Sequence, residues 1–549
     1  MSYRRIEGWL GTMPPTSPAP AATTTGSRLS LVTTMNLSSR ALVIVAFLLA
    51  SALVAAAMAW QGTIGMNLAD EGYLWYGVQR VLAGEVPVRD FLSYDPGRYY
   101  WSAAWLRLWG DDGLYPLRIS VALFQCLGLF AGLWVLTTVR RFRSADLPLL
   151  ALAGVALLCW MYPRHKLFDI AISLLLLAAF TFWLRNPRGR SYFLAGAAVG
   201  LAAVFGRNHG VYGLVASGLA MGWLATRRER TMAPWRGGVL WGAGVVAGYS
   251  PILLMCALIP GFAHSLWQSV RLLFDLGQTN LALPVPWPWR ADATLGQAAL
   301  LRQVLIGLCF IGLPLFIAVA GAYALGRRWR GCDVPPAIVA ACALAVPYAH
   351  FAYSRADVSH LAQGIFPVLV GCFALILARQ GVGRMVAAAA LTGFCLVVML
   401  PIQPGWQARQ AGDWPLADIS GTPMQLQPHI AADVQLIRRL YGTFGGPGQD
   451  AAYVPYWPGA YALLHIRSPL YGSYVALPMP QWFQSRDAQR LAVIRPAFVL
   501  VDDQALDGRE DLRFTHSQPI LAGAIQQQYR LADEAGLPGH LRLYLPRGD

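Results

Sequence analysis

From about residue 41 the chain alternates long apolar runs with short polar turns. The runs are roughly 17 to 22 residues long, enough helix to cross a hydrocarbon core of about 30 Å. Eleven stand out, at about 41–60, 114–138, 147–162, 167–184, 191–206, 211–226, 237–258, 300–324, 335–352, 362–378 and 385–401. Three polar stretches are longer than turns: residues 61–113, 259–299 and the tail 402–549. If each run crosses once, all three lie on one side, together with the short turns YPRHKLFD (162–169), GRNHG (206–210) and YSRADVSHL (353–361).

Composition agrees with this threading. The 549 residues are 56% hydrophobic and 13% charged, with a mean hydropathy of +0.44, which excludes an ordinary soluble domain. The net charge of +15 would suit nucleic acid if it were spread along the chain. Instead the whole excess falls in the segments opposite the tail: Arg4, Arg5, Arg28, Arg40 and the turns VRRFR, RNPRGR, TRRER, GRRWR and ARQGVGR. The positive-inside rule makes that face cytoplasmic. The expectation is a multi-pass protein of a bacterial inner membrane, with the amino terminus inside, the tail in the periplasm, and no nucleic-acid partner. Residues 1–40 read as a cytoplasmic terminus, with 1–34, rich in Pro, Thr, Ser and Ala, disordered, and Met35 as an alternative start. The run 41–60 ends near AAAMA as a signal peptide would, but it is long for that role and is read as a span. The eight Cys lie in or beside apolar runs without disulfide or zinc spacing, and the His residues are scattered, so no metal or other cofactor is expected.

The first outer segment begins NLADEGYLWYGVQRVLAGEVPVRDF (67–91). Asp70 can cap a helix running to about Ala83, with Gly84 as its stop, and Asp95-Pro96 can open a second helix carrying Tyr99, Tyr100, Trp101, Trp105 and Trp109. Both have the aromatic and apolar content of helices lying along a membrane surface. Residues 259–299 combine an amphipathic stretch with the stiff PVPWPW, which suits either a lid or a passive interfacial loop. In the tail, ADVQLIRRLYGTF, GAYALLHIRS and ILAGAIQQQYRLA read as helices, and AYVPY and PAFVLVD as strands. That alternation predicts a small α/β domain, treated as accessory.

The carboxylate pair Asp70–Glu71 just after the first span, then G-x-x-P-x-R-D-F (Gly84, Pro87, Arg89, Asp90, Phe91), then D-P-G with an aromatic helix, resembles the first outer loop of GT-C glycosyltransferases. The nearest branch is that of protein O-mannosyltransferases and lipid A aminoarabinose transferases, with their uncharacterised bacterial relatives. The likeness is best over residues 61–185. PRHKLFD is similar to the family's R-x-x-x-x-D pattern through Arg164 and Asp169. The resemblance implies a mainly α, GT-C-like bundle of about 11 transmembrane helices (41–401), interfacial helices in the first outer loop (61–113), and a small C-terminal α/β periplasmic domain (402–549). It also implies inverting transfer from a polyprenyl-phosphate-linked sugar to a glycan, lipid or protein hydroxyl. Asp70 would be the base or acceptor-positioning group, Glu71 its partner, and Asp169 part of the acceptor region.

Such chemistry must offset charge growing on a phosphate leaving group while a hydroxyl is oriented or deprotonated. The phosphate candidates are Arg164, Lys166, Arg207, His209, Arg355 and His360, with Arg89 and Asp90 positioning the loop. Blander readings stand beside each. Asp70 and Asp169 can be helix caps, and Glu71 a first-turn carboxylate favoured by the helix dipole. Arg89–Asp90 and Arg355–Asp357 can be local ion pairs. Arg164, His165 and Lys166 can snorkel to headgroups, and Arg207 and His209 can sit at the interface in water. A lipid-linked saccharide flippase is the rival function, but it would concentrate polar groups at mid-membrane in repeated, broken helices. A noncatalytic membrane scaffold is the third reading.

Overall fold

The computed structural model describes residues 36–226, 232–278, 280–412 and 414–547. The expected disordered segment 1–34, the start at Met35 and the arginines of TRRER lie outside them. The described residues form one compact unit.

Helix α1 (Ser39–Gln61) leads into α2 (Asp70–Leu82) and α3 (Gly97–Trp109), and then come α4 (Leu114–Thr137), α5 (Leu147–Trp160), α6 (Leu167–Arg185), α7 (Gly189–Phe205), α8 (Arg207–Ala225) and α9 (Pro234–Leu258). After α10 (Phe262–Leu276) follow α11 (Gln297–Trp329), α12 (Pro336–Ser354), the bent pair α13 (Val358–Gly364) and α14 (Phe366–Ala378), α15 (Gly383–Met399) and α16 (Pro404–Ala411). The tail opens with an antiparallel hairpin, β1 (Leu416–Ile419) and β2 (Thr422–Gln425), followed by α17 (Pro428–Phe444), β3 (Ala452–Val454), α18 (Pro458–Leu464) and α19 (Gln481–Ile494). Strand β4 (Val499–Asp502), α20 (Phe514–Ser517), α21 (Pro519–Gln528), β5 (Tyr529–Ala532) and β6 (Leu541–Pro546) complete it. Its four-stranded sheet runs β3-β4-β6-β5, parallel between β3 and β4 and antiparallel elsewhere.

Every expected span is helical, but among the described residues seven helices are long and apolar enough to cross a membrane, or eight if α13 and α14 count as one bent span. The expected eleven is too many by that measure. Helix α5 has 14 residues, about 21 Å at 1.5 Å per residue, well short of a hydrocarbon core. Close packing replaces length in places. On α7 and α9 the pairs Gly196/Gly200 and Gly244/Gly248 are each spaced by four, and a Cβ at any of them would lie 2.0–2.1 Å from a carbonyl oxygen of the facing helix. The two backbones therefore touch, as small-xxx-small seams allow.

The first outer segment departs from the sequence reading. Asp70 is the first residue of α2, not its cap; Ala69 holds the cap position, and Asn67 Oδ1 accepts the Asp70 N–H at 2.7 Å. Nor does α2 lie open along a surface. From Glu71 to Val81 only Arg80 escapes full burial, because α3 covers one face, with Tyr99 against Gly77, and the tail covers another. The Gly72 Cβ position is 2.5 Å from the backbone of Gly459 on α18, and the Ser468 N–H donates to the Tyr76 hydroxyl at 2.9 Å. Helix α3 does keep Tyr100, Leu108 and Trp109 exposed, as a boundary helix would. Asp95 does not cap it; its carboxylate accepts from Arg207. In the tail, ILAGAIQQQYRLA is helical only to Gln528 and then pairs with β6 as β5.

The tail is stitched to the helix bundle by backbone as well. Gly65 N–H donates to Gln425 O at 2.7 Å, and Gln425 N–H to Thr63 O at 3.0 Å. Helix α10 reaches the tail through Leu272, which packs with Tyr471, Val475, Met479 and Phe483, and through Asp275, which accepts the Trp482 indole N–H at 2.9 Å. Since the Gly72–Gly459 contact is backbone against backbone, Gly72→Val should separate α2 from α18 and destabilise the fold by about 1–3 kcal/mol. Thermal unfolding in detergent checks this; an unchanged midpoint would show that the seam can open freely.

Candidate active site

One cavity of about 830 Å³ lies where the bundle meets the tail. Its walls come from the segments that alternation places on the tail side: residues 65–71 and 92–94, the turn at 162–166, Asn280 and Leu281, the 355–360 turn, and the tail. Among the described residues, the Arg-rich turns contribute nothing to it. At the opposite ends of their helices, Arg140 and Arg384 both hold the buried Asp146.

Adjacent residues on a helix point about 100° apart, and Asp70 and Glu71 follow that divergence. Asp70 faces the cavity. Its Oδ1 accepts the Tyr474 hydroxyl of the tail at 3.0 Å, and its Oδ2 is 3.6 Å from His165 Nε2. Burial opposes its ionisation, but the charges of His165 and Lys166 and the Tyr474 hydrogen bond outweigh it and lower its pKa. Glu71 turns to Arg118 on α4, accepting Nε at 2.8 Å and Nη2 at 2.7 Å. The same guanidinium donates to Gly62 O at 2.8 Å and Gly65 O at 2.6 Å, gripping the end of α1. Both partners are buried, and although burial opposes it, Arg118 holds the Glu71 pKa down. Glu71 touches the cavity, but both its oxygens are taken.

Arg164, His165, Lys166, Arg355 and His360 line the cavity together. Arg164 donates to Ile64 O at 2.8 Å and to Gln61 O. Lys166 Nζ is 3.3 Å from the Tyr94 hydroxyl, and no carboxylate among the described residues lies within ion-pair distance of it. Arg355 binds Asp357 at 2.8 Å and forms a forked pair with Asp507 of the tail at 2.7 and 2.9 Å, while His360 Nδ1 lies 2.9 Å from Asp357 Oδ1. Among the described residues, no three His, Cys, Asp or Glu side chains converge as a metal site would require.

Five expected site residues lie elsewhere. Asp169 is sealed beneath Tyr94: Arg98 donates to both its oxygens at 3.1 and 3.2 Å, and the ring of His209 meets Oδ1 at 2.9 Å. His209, fully buried, also bonds the Tyr348 hydroxyl at 2.7 Å, so it cannot meet a phosphate in the cavity. Arg207 is taken up by Asp95 and Ser269 outside the cavity, and Asp169 touches no open space as an acceptor-site carboxylate would. Arg89 and Asp90 form a forked pair at 2.9 Å that braces their own loop; Asp90 also accepts the Val86 N–H, and Arg89 reaches Pro260 O. Neither lines the cavity.

Sequence reading missed Arg98, Arg118, Tyr94 and Tyr474. Arg118 carried a usable signal, a lone charge inside an apolar run. Arg98 sat among the aromatics of the expected second helix, and nothing near Tyr474 in the chain sets it apart.

No family model matches the sequence, and no curated protein does either. Solved structures do resemble it. ArnT from Cupriavidus metallidurans bound to undecaprenyl phosphate is 14% identical, with 91% of this chain and 97% of that one covered at a TM-score of 0.48. The oligosaccharyltransferase AglB from Archaeoglobus fulgidus, in complex with an inhibitory peptide and a dolichol-phosphate, is 12% identical, with 93% and 76% covered at 0.46.

Removing one partner of a buried ion pair strands the other charge. Arg118→Met should therefore cost about 3–5 kcal/mol, whereas the double change with Glu71→Met should recover much of that loss. Unfolding of the two variants in detergent distinguishes the cases; equal stability of single and double variants would mean that the pair is not what holds this corner.

Proposed function

We propose that the cavity transfers a sugar from a polyprenyl-phosphate donor to an acceptor hydroxyl, with the donor lipid in the bilayer and the reacting groups on the tail-side face. The carrying observation is that Asp70, ionised and held by Tyr474, shares one cavity with Arg164, Lys166 and Arg355. The acceptor oxygen would attack the anomeric carbon as its proton passes to Asp70, and the bond from that carbon to the phosphate oxygen would break. Polyprenyl phosphate leaves, its charge met by the cations. A single displacement inverts the anomeric configuration. Glu71 and Asp169 serve by holding Arg118 and Arg98 in place and make no contact with substrate. The one-sided arginine excess supports a periplasmic orientation for this face in a bacterial inner membrane, and the motif order of residues 67–100 supports the GT-C assignment.

The test incubates the purified full-length protein with labelled polyprenyl-phosphate sugars and an envelope lipid and glycan extract as acceptor. Asp70→Asn should lower transfer by about 10²- to 10⁴-fold while leaving the unfolding midpoint in place. Equal transfer by the folded variant removes Asp70 from the chemistry, and lipid translocation without bond cleavage replaces the transferase with a flippase.

Tyr474→Phe gives a second, independent reading. The lost hydroxyl had stabilised the ionised form of Asp70, so the variant's Asp70 pKa should rise. A base works deprotonated; the acid limb of the kcat/KM profile should therefore move to higher pH, with the neutral-pH rate less affected. A limb that stays in place would show that Asp70 is not the group titrating there.

A further inference from the structure

One wall of the cavity belongs to the tail, and it has a different chemistry. Strands β3 and β4 are parallel, and the residues that reach the cavity follow their carboxyl ends: Trp457 after β3, and Asp502 and Gln504 at the end of β4. In sheets with helical cover, that end is where ligands are held. Helix α17 adds Asp433 from the same side.

Asp433 is half-buried, yet it makes no hydrogen bond or ion pair with any described residue. Burial raises its pKa, nearby His429 opposing and Asp502 adding to the rise. Asp502 is also raised by burial, against hydrogen bonds from Gln504 and the Trp457 side chain. Two carboxyl groups without a basic partner in hydrogen-bonding contact, an exposed amide and a partly open indole therefore share one wall. A phosphorylated or uronic acceptor would bring a third negative charge against them. Hydroxyl groups would instead donate to the unpaired Asp433 carboxylate, and the C–H face of a pyranose ring would cover the indole, while Asp502, buried and bonded to Gln504 on both oxygens, fixes the amide beside it.

We infer that the tail wall formed by Asp433, Trp457, Asp502 and Gln504 is a binding subsite for an uncharged, hydroxyl-rich saccharide, which presents the acceptor hydroxyl to Asp70. The binding claim stands on the wall itself, and its use as acceptor rests on the transferase reading above. The tail is then the element that selects the acceptor.

Saturation-transfer NMR on the full-length protein in nanodiscs tests it, with four probes: an uncharged hexose trisaccharide, a uronic acid trisaccharide, a phosphoglycolipid and a serine- and threonine-containing peptide. The uncharged trisaccharide should bind, and Trp457→Leu should weaken it about tenfold while Trp457→Phe, which keeps an aromatic face, recovers most of the loss. The uronic probe should bind about tenfold more weakly and gain affinity with Asp433→Asn. Equal binding of the uncharged sugar to wild type and a folded Trp457→Leu overturns the proposal, as does Trp457-dependent binding of the peptide or phosphoglycolipid in its place. Polyprenyl phosphate is titrated in parallel. Its failure to bind wild type would sink the donor reading, whatever the saccharide does.

Discussion

A guanidinium enclosed by membrane helices must have its counter-charge and its remaining acceptors supplied by the protein, since hydrocarbon supplies neither. Arg118 finds all of them within the chain's first outer turn: both oxygens of Glu71 and the carbonyls of Gly62 and Gly65. The rest of the site is laid out from that knot. It fixes the end of α1 against α4 and sets the rotation of α2, so that the residue before Glu71 looks the other way, into the cavity. Arg98 and Asp169 repeat the device a short distance off, tying α3 to α6 and α8 beneath Tyr94. The site is thus framed by two buried charge pairs, Glu71–Arg118 and Asp169–Arg98, and lined by Arg164, Lys166 and Arg355.

What could be read from the chain beforehand followed from short-range physics. Apolar periodicity located the helices, charge asymmetry placed the long segments on one face, and the cavity is built from those segments. Asp70, Arg164, Lys166, Arg355 and His360 do meet there. The errors share one cause, because a sequence does not say which charge will find which. Arg207 looked free for phosphate until Asp95, 112 residues earlier, took it. His209 looked interfacial until Asp169 and Tyr348 enclosed it. Helix α2 looked like a surface helix because its second covering layer, α18, comes from the far end of the chain. The span count is matched only in part: seven or eight of the expected helices are long and apolar enough by themselves, while α5 and α7 are shorter apolar helices packed against neighbours.

The tail proved more than an appendage. It supplies the hydroxyl that holds Asp70, the carboxylate that meets Arg355, and a whole wall of the cavity. Its sheet is small, and part of its hydrophobic core is continuous with that of the bundle, Ile419, Val434 and Leu500 clustering with residues of the membrane helices. Tail and bundle share one core around the site.

The bond between Tyr474 and Asp70 joins residues 404 positions apart. A ribosome delivers Asp70 with the first outer loop and Tyr474 only after the last membrane helix has been made. Through most of synthesis the carboxylate stands in a cavity lacking its far wall, with neither its hydroxyl partner nor the tail's side chains in place. Completion of the site is therefore a late event in the life of the nascent chain, and a product truncated after α15 would keep the helices before it but lack the cavity's tail wall.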